Sequence, residues 1–169
     1  MQPTTATIHV DDAMLATKGQ RFANYFIDSI VYFIIILMVG VIAGLLSNFG
    51  FDGMIIWISN MDSFTEITLN WFIMILYYIF MESLTQRSVG KYITGTMVVC
   101  YDGSKPDAGA IGVRSLCRLI PFEQFSFLGS LGRGWHDTLS KTYVVDKWKY
   151  ESALQLKKSF DEIGRGETI

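Results

Sequence analysis

Arg21 and Asp28 stand seven residues apart at the entrance to the longest apolar run of the chain. Seven residues are almost two helical turns, so on a helix the two side chains share a face. An aspartate at that depth suits the acceptance of an ion or a proton, because ionisable groups in membrane spans mark functional sites. It equally suits a structural role, tied to a cationic group of the extramembrane part, and both roles stay open. Glu82 closes the second apolar run. If the chain doubles back, Glu82 returns to the depth of Asp28, where two carboxylates raise each other's pKa and a basic neighbour lowers both. Arg87, Lys91, Arg114, Arg118 and Arg133 are the available neighbours. The expectation is one charge cluster at the inner membrane surface.

Other chemistry is sparse. His136 and Asp137 are adjacent, but no serine or cysteine nucleophile in a recognisable turn accompanies them, so no enzymatic step is expected. Asp137 is expected to cap or pair within the extramembrane fold. Cys100 and Cys117 are too few for a disulfide framework or a zinc site and are expected to be reduced and structural. With only His9 and His136 besides, no metal site is expected. Gly90-Lys91 lacks the earlier glycine of a phosphate-binding loop, which leaves no cofactor expected. Fourteen basic against sixteen acidic residues, a net charge of −2, supply no concentrated basic face for nucleic acid.

The elements that position these residues are apolar. Half of the residues are hydrophobic and 18% are charged, against about 25% charged in soluble domains. Ser29 to Gly50 is a run of twenty-two residues without a charge, enough for one crossing at about twenty residues. The second run, Ile67 to Met81, has fifteen and crosses if extended through Glu82 to Thr85. Helices are expected at about 25–47 and 67–85. The outer loop 48–66 between them holds a strand-like MIIWI. Lys18 and Arg21 precede the first run, no Lys or Arg lies between Ser47 and Glu66, and twelve follow the second. The positive-inside rule then puts both termini in the cytoplasm.

The chain therefore divides into a cytoplasmic segment 1–24, a transmembrane hairpin 25–86, a cytoplasmic or interfacial part 87–146 and a charged tail 147–169, helical only in its first part. Thr96–Tyr101 and Thr142–Val145 are β-branched and could pair as a small sheet. Residues 111–131 are expected to lie in the inner interface as an amphipathic helix, with Arg114 and Arg118 turned out to anionic headgroups; Glu123 argues against a third crossing. Gly40 and Gly44 form a GxxxG suited to helix packing. The expected fold is an all-α membrane protein: a two-helix transmembrane hairpin with an amphipathic interfacial helix and a small cytoplasmic β element.

Four segments in this order, RFANYFID (Arg21–Asp28), SVGKYITGTMVV (Ser88–Val99), RSLCRLIPFE (Arg114–Glu123) and GWHDTLSKTYVV (Gly134–Val145), resemble the RDD family of membrane proteins, called after one arginine and two aspartates. The resemblance assigns the arginine to Arg21 and the aspartates to Asp28 and Asp137. It implies a bacterial inner-membrane protein, with transport of an unidentified ligand as the usual suggestion. Two helices are too few to enclose a water-filled path. Transport or ion exchange would therefore need a homo-oligomer or another membrane protein, with membrane lipid as the surrounding partner. The competing expectation is a non-catalytic adaptor, assembly or regulatory factor for another membrane protein.

Overall fold

A computed structural model describes residues 8–128 and 133–166. Two long helices dominate it: α1, Lys18–Asn48, and α3, Ser63–Thr85. Both are long and apolar enough to cross a membrane. Each starts several residues before its apolar run, because polar caps set the start. In α1 the Thr17 side chain accepts from the Gln20 amide while the Gln20 side chain accepts from the Thr17 amide. In α3 the Asp62 carboxylate accepts from the amides of Phe64 and Thr65.

Between them Gly53–Ser59 forms a short helix, α2, packed on α1, where a strand-like segment was expected. A lone strand there would leave its amides and carbonyls without partners. A helix bonds its own backbone, which matters most beside lipid.

After α3 the chain turns at Gln86, enters α4 (Val89–Thr94) and leaves it through Gly95 at φ 69°. Strand β1 (Thr96–Cys100) pairs antiparallel with β2 (Thr142–Asp146), Val98 opposite Val144. The expected small sheet is present, and it divides two environments. Val99, Tyr143 and Val145 form an apolar core with Ile8, Val10 and Tyr150. The opposite face carries Thr96, Val98, Thr142 and Val144.

Residues 111–131 are not one amphipathic helix. Helix α5 (Ala108–Cys117) ends before Pro121, and a 3-10 turn follows at Glu123–Leu128; residues 129–132 lie outside the described ones. Next come α6 (Trp135–Leu139) and, after β2, α7 (Lys147–Gly166). The charged tail is thus helical through Gly166, well past its first part, because Tyr150, Ala153 and Leu154 seat its opening turns on the sheet's apolar core.

Helices α1 and α3 run in opposite directions, since Tyr32 meets Asn70 while Asp28 meets Tyr77 and Tyr78. Direct packing between them is sparse: α1 packs chiefly on α4 and α2, and α3 on α5. Only 6% of the most apolar stretch of α1 and 11% of that of α3 is buried, so lipid or another protein must cover the rest. Gly40 and Gly44 face open space.

Helix α4 lies close against α1 at Gly90. A Cβ built there would lie 2.5 Å from the Asn24 carbonyl oxygen and 3.0 Å from Asp28 Oδ1. The obstacle is backbone and cannot swing away. Gly90→Ala is therefore expected to cost about 1–3 kcal/mol, read as a lower Tm of the detergent-solubilised protein.

Candidate functional site

The charged residues singled out in the sequence converge where the N-terminal part of α1 meets the C-terminal end of α3. Arg114, on α5, has no exposed surface. Its Nε donates to Glu82 Oε2 at 3.0 Å, and its Nη1 donates to Asp137 Oδ1 and to Thr142 Oγ1, the latter at 2.8 Å. Lys91 Nζ donates to Glu82 Oε1 at 2.8 Å. Arg118 Nη2 reaches the same oxygen at 3.5 Å, with its guanidinium 3.7 Å over the Tyr78 ring. Arg21 Nη1 donates to Asp137 Oδ2. One network therefore joins α1, α3, α4, α5, α6 and β2.

The expected headgroup contacts of Arg114 and Arg118 do not form. Their i, i+4 spacing does put both on one face, but that face is covered by α3; Arg114 is fully buried and the Arg118 side chain is 11% exposed. Arg87 and Arg133, also expected as neighbours, lie outside the network. Arg87 sits over Tyr92, and Arg133 pairs with exposed Asp12 and stacks on Tyr143.

Asp28 is beside the network but held differently. Tyr77 Oη (2.9 Å), Tyr78 Oη (3.4 Å), Ser88 Oγ (2.5 Å) and the Gly90 amide (2.8 Å) all donate to its carboxylate. Among the described residues no lysine or arginine pairs with it, so of the two roles left open for Asp28 the tie to a cationic group is not formed. It does share the buried face of α1 with Arg21 and Asn24. Asn24 bridges to Thr94 and Thr96, fixing α1 to the end of α4 and the start of β1.

Glu123 and His136 form a pair that the sequence reading did not anticipate. His136 Nδ1 lies against Glu123 Oε1 and its Nε2 is 3.2 Å from Asp137 Oδ1. Burial opposes the ionisation of Asp137, but His136, Arg114 and Arg21 outweigh it and hold its pKa well below the usual carboxylate range. Glu123 is likewise lowered, burial being outweighed by His136 and Arg118. For Arg118, the surrounding Tyr78, Glu82 and Glu123 overcome burial and raise the pKa. Burial lowers that of Lys91, with Glu82 opposing.

The network borders a cavity of about 40 Å³ whose wall includes Arg21, Asp28, Arg114, Arg118, Glu123 and His136. A cleft of about 180 Å³ between α1 and α3 shares Tyr25, Asp28, Tyr78 and Arg118 with it and extends to Tyr32 and Met74. Higher in the cleft, Tyr32 Oη donates to Asn70 Oδ1 at 2.8 Å. Among the described residues no three His, Cys, Asp or Glu side chains converge as metal ligands.

Removing one charge should leave its partners buried and unpaired. Glu82→Gln is expected to destabilise by about 3–5 kcal/mol, measured by thermal unfolding in detergent; unchanged melting would refute a structural role for the pair. Asp137 and Glu123 ionise more readily folded than unfolded, from ordinary values of 3.8 and 4.5. Their stabilisation is complete above those values and is lost as pH falls toward the folded ones. Tm should therefore drop below about pH 4, and Asp137→Asn should lower the neutral-pH Tm while flattening that drop.

No curated protein and no solved structure matches the chain. The sequence pattern of the RDD family matches residues 15–142, which contain every residue of the buried network. This chain belongs to the RDD family, and its two long apolar helices mark it as a membrane protein.

Proposed function

We propose that the protein is a two-span component of transport or ion exchange in a bacterial inner membrane, with both termini cytoplasmic, acting as a homo-oligomer or with another membrane protein. The observation that carries this reading is the position of Asp28. It lines both the cavity beside the network and the cleft between α1 and α3, and its ligands are hydroxyls and one amide rather than a cation. Hydroxyl donors can rotate away, so the carboxylate can exchange a protein donor for an incoming cation or a proton. An arginine partner would hold the same carboxylate far more tightly.

A polar line climbs from Asp28 through Tyr77 and Tyr78 to Tyr32 and Asn70. Beyond it α1 presents exposed Leu37, Val41 and Leu45. A single chain thus offers a polar entry but no polar exit, which favours assembly around the cleft.

The adaptor reading has one observation of its own. Leu156, Phe160 and Ile163 are exposed at helical spacing on α7, an apolar stripe on an otherwise charged helix. It suits docking to another protein.

Purified protein in sealed vesicles is expected to carry a cation or proton flux that Asp28→Asn abolishes. Tight vesicles without flux, together with a stoichiometric partner after mild solubilisation, would turn the assignment to the adaptor. A reporter fused after Val145 is expected on the cytoplasmic side; labelling from outside would reverse the orientation.

A further inference from the structure

We infer that the cavity inside the charge network is a binding site for a small monovalent anion of about the size of chloride. The inference rests on the ion-exchange reading for its purpose, while the binding itself is measurable without flux.

Three observations meet at this cavity. The first is unused donors. Arg21 Nε and Nη2, Arg114 Nη2 and Arg118 Nε are buried and have no partner among the described residues, and all three guanidiniums belong to residues of the cavity wall. Arg21 and Arg114 are 5% and 0% exposed. Buried guanidinium nitrogens left unbonded cost about 1–3 kcal/mol or more each, so something that accepts hydrogen bonds is expected among them. The second is size. A water needs about 10–15 Å³ of such space, so about 40 Å³ holds one chloride-sized ion with a water. That water can donate to Glu123 Oε2, a buried carboxylate oxygen of the wall without a partner among the described residues.

The third is charge. The cavity wall carries Arg21, Lys91, Arg114 and Arg118 against the carboxylates Asp28 and Glu123, while Glu82 and Asp137 pair with these cations from behind it. The groups that face the space are mostly cationic, and a negatively charged acceptor bonds a guanidinium more strongly than water does. A small monovalent anion therefore suits the free donors better than water alone. Its way in is the wall of Tyr25, Asp28, Tyr78 and Arg118 shared with the cleft.

The test uses the full chain, purified in detergent and exchanged into sodium gluconate, an anion too large for the cavity. Chloride, bromide and formate are then titrated at constant ionic strength. Each is expected to raise Tm saturably, by roughly 3–6 °C at ten times its Kd, whereas sulfate, larger and divalent, should not. Arg21→Lys keeps a charge for Asp137 but removes two free donors, and it should weaken chloride binding at least about tenfold. Calorimetric titration with bromide gives the same comparison without unfolding the protein. A Tm independent of the anion, an equal rise with sulfate, or undiminished binding in Arg21→Lys would overturn the proposal. Binding without flux in vesicles would sink the transport reading and leave the site; flux without binding would do the reverse.

Discussion

The guanidinium of Arg114 is the constraint on which the arrangement depends. It lies on a helix of ten residues, fully out of water. Its charge is tolerable only if anions stand beside it, and breaking a buried pair costs about 3–5 kcal/mol. Glu82 comes from the C-terminal end of α3 and Asp137 from α6. Neither helix touches the other extensively; each is located through the arginine between them. Arg21 then attaches α1 to Asp137 from the other side. Beside lipid an apolar core could not fix these four helices, because lipid tails compete with Leu and Ile for the same surfaces.

The two-stranded sheet makes this possible by separating the environments. Its Val99, Tyr143 and Val145 face turns toward the N-terminal segment and α7 and supplies the apolar core. Its other face turns Thr142 to Arg114 and Thr96 to Asn24. Threonine suits both demands, since its branched carbon fits the strand and its hydroxyl serves the network. Gly90 completes the fit by letting α4 lie against α1, where its amide reaches Asp28.

How much of this the sequence disclosed depends on which physical signal each part leaves. The two long helices were legible because a charge-free run of twenty-two residues has few other readings. The paired strands were legible from β-branched composition. Helix starts were not, because Thr17 and Asp62 act through local hydrogen bonds that hydropathy does not register. Arg21, Glu82, Lys91, Arg114 and Asp137 were recognised as candidates, but their partners were not assignable. Spacing tells which residues share a face of one helix and says nothing about what covers that face. Arg114 and Arg118 were accordingly expected in the headgroups and lie instead under α3. Glu123 and His136, thirteen residues apart on different elements, left no local signal at all. The four donors around Asp28 were equally hidden, three of them being hydroxyls common in any interface helix.

The sparse contact between α1 and α3 bears directly on what the molecule needs to work. Helices that pack closely in lipid do so through small residues or shared hydrogen bonds. Here the small residues of α1, Gly40 and Gly44, have nothing packed where a Cβ would stand, and among the described residues Tyr32 bonds Asn70 between the long helices. The ends that meet α4, α5 and α6 are locked by ion pairs, while most of the apolar length of both helices is unburied within the chain. On the proposed reading, the charge network is the rigid base and the cleft is completed only by assembly, so the parts that hold the fold and the parts that move ions are separated along the length of the same two helices.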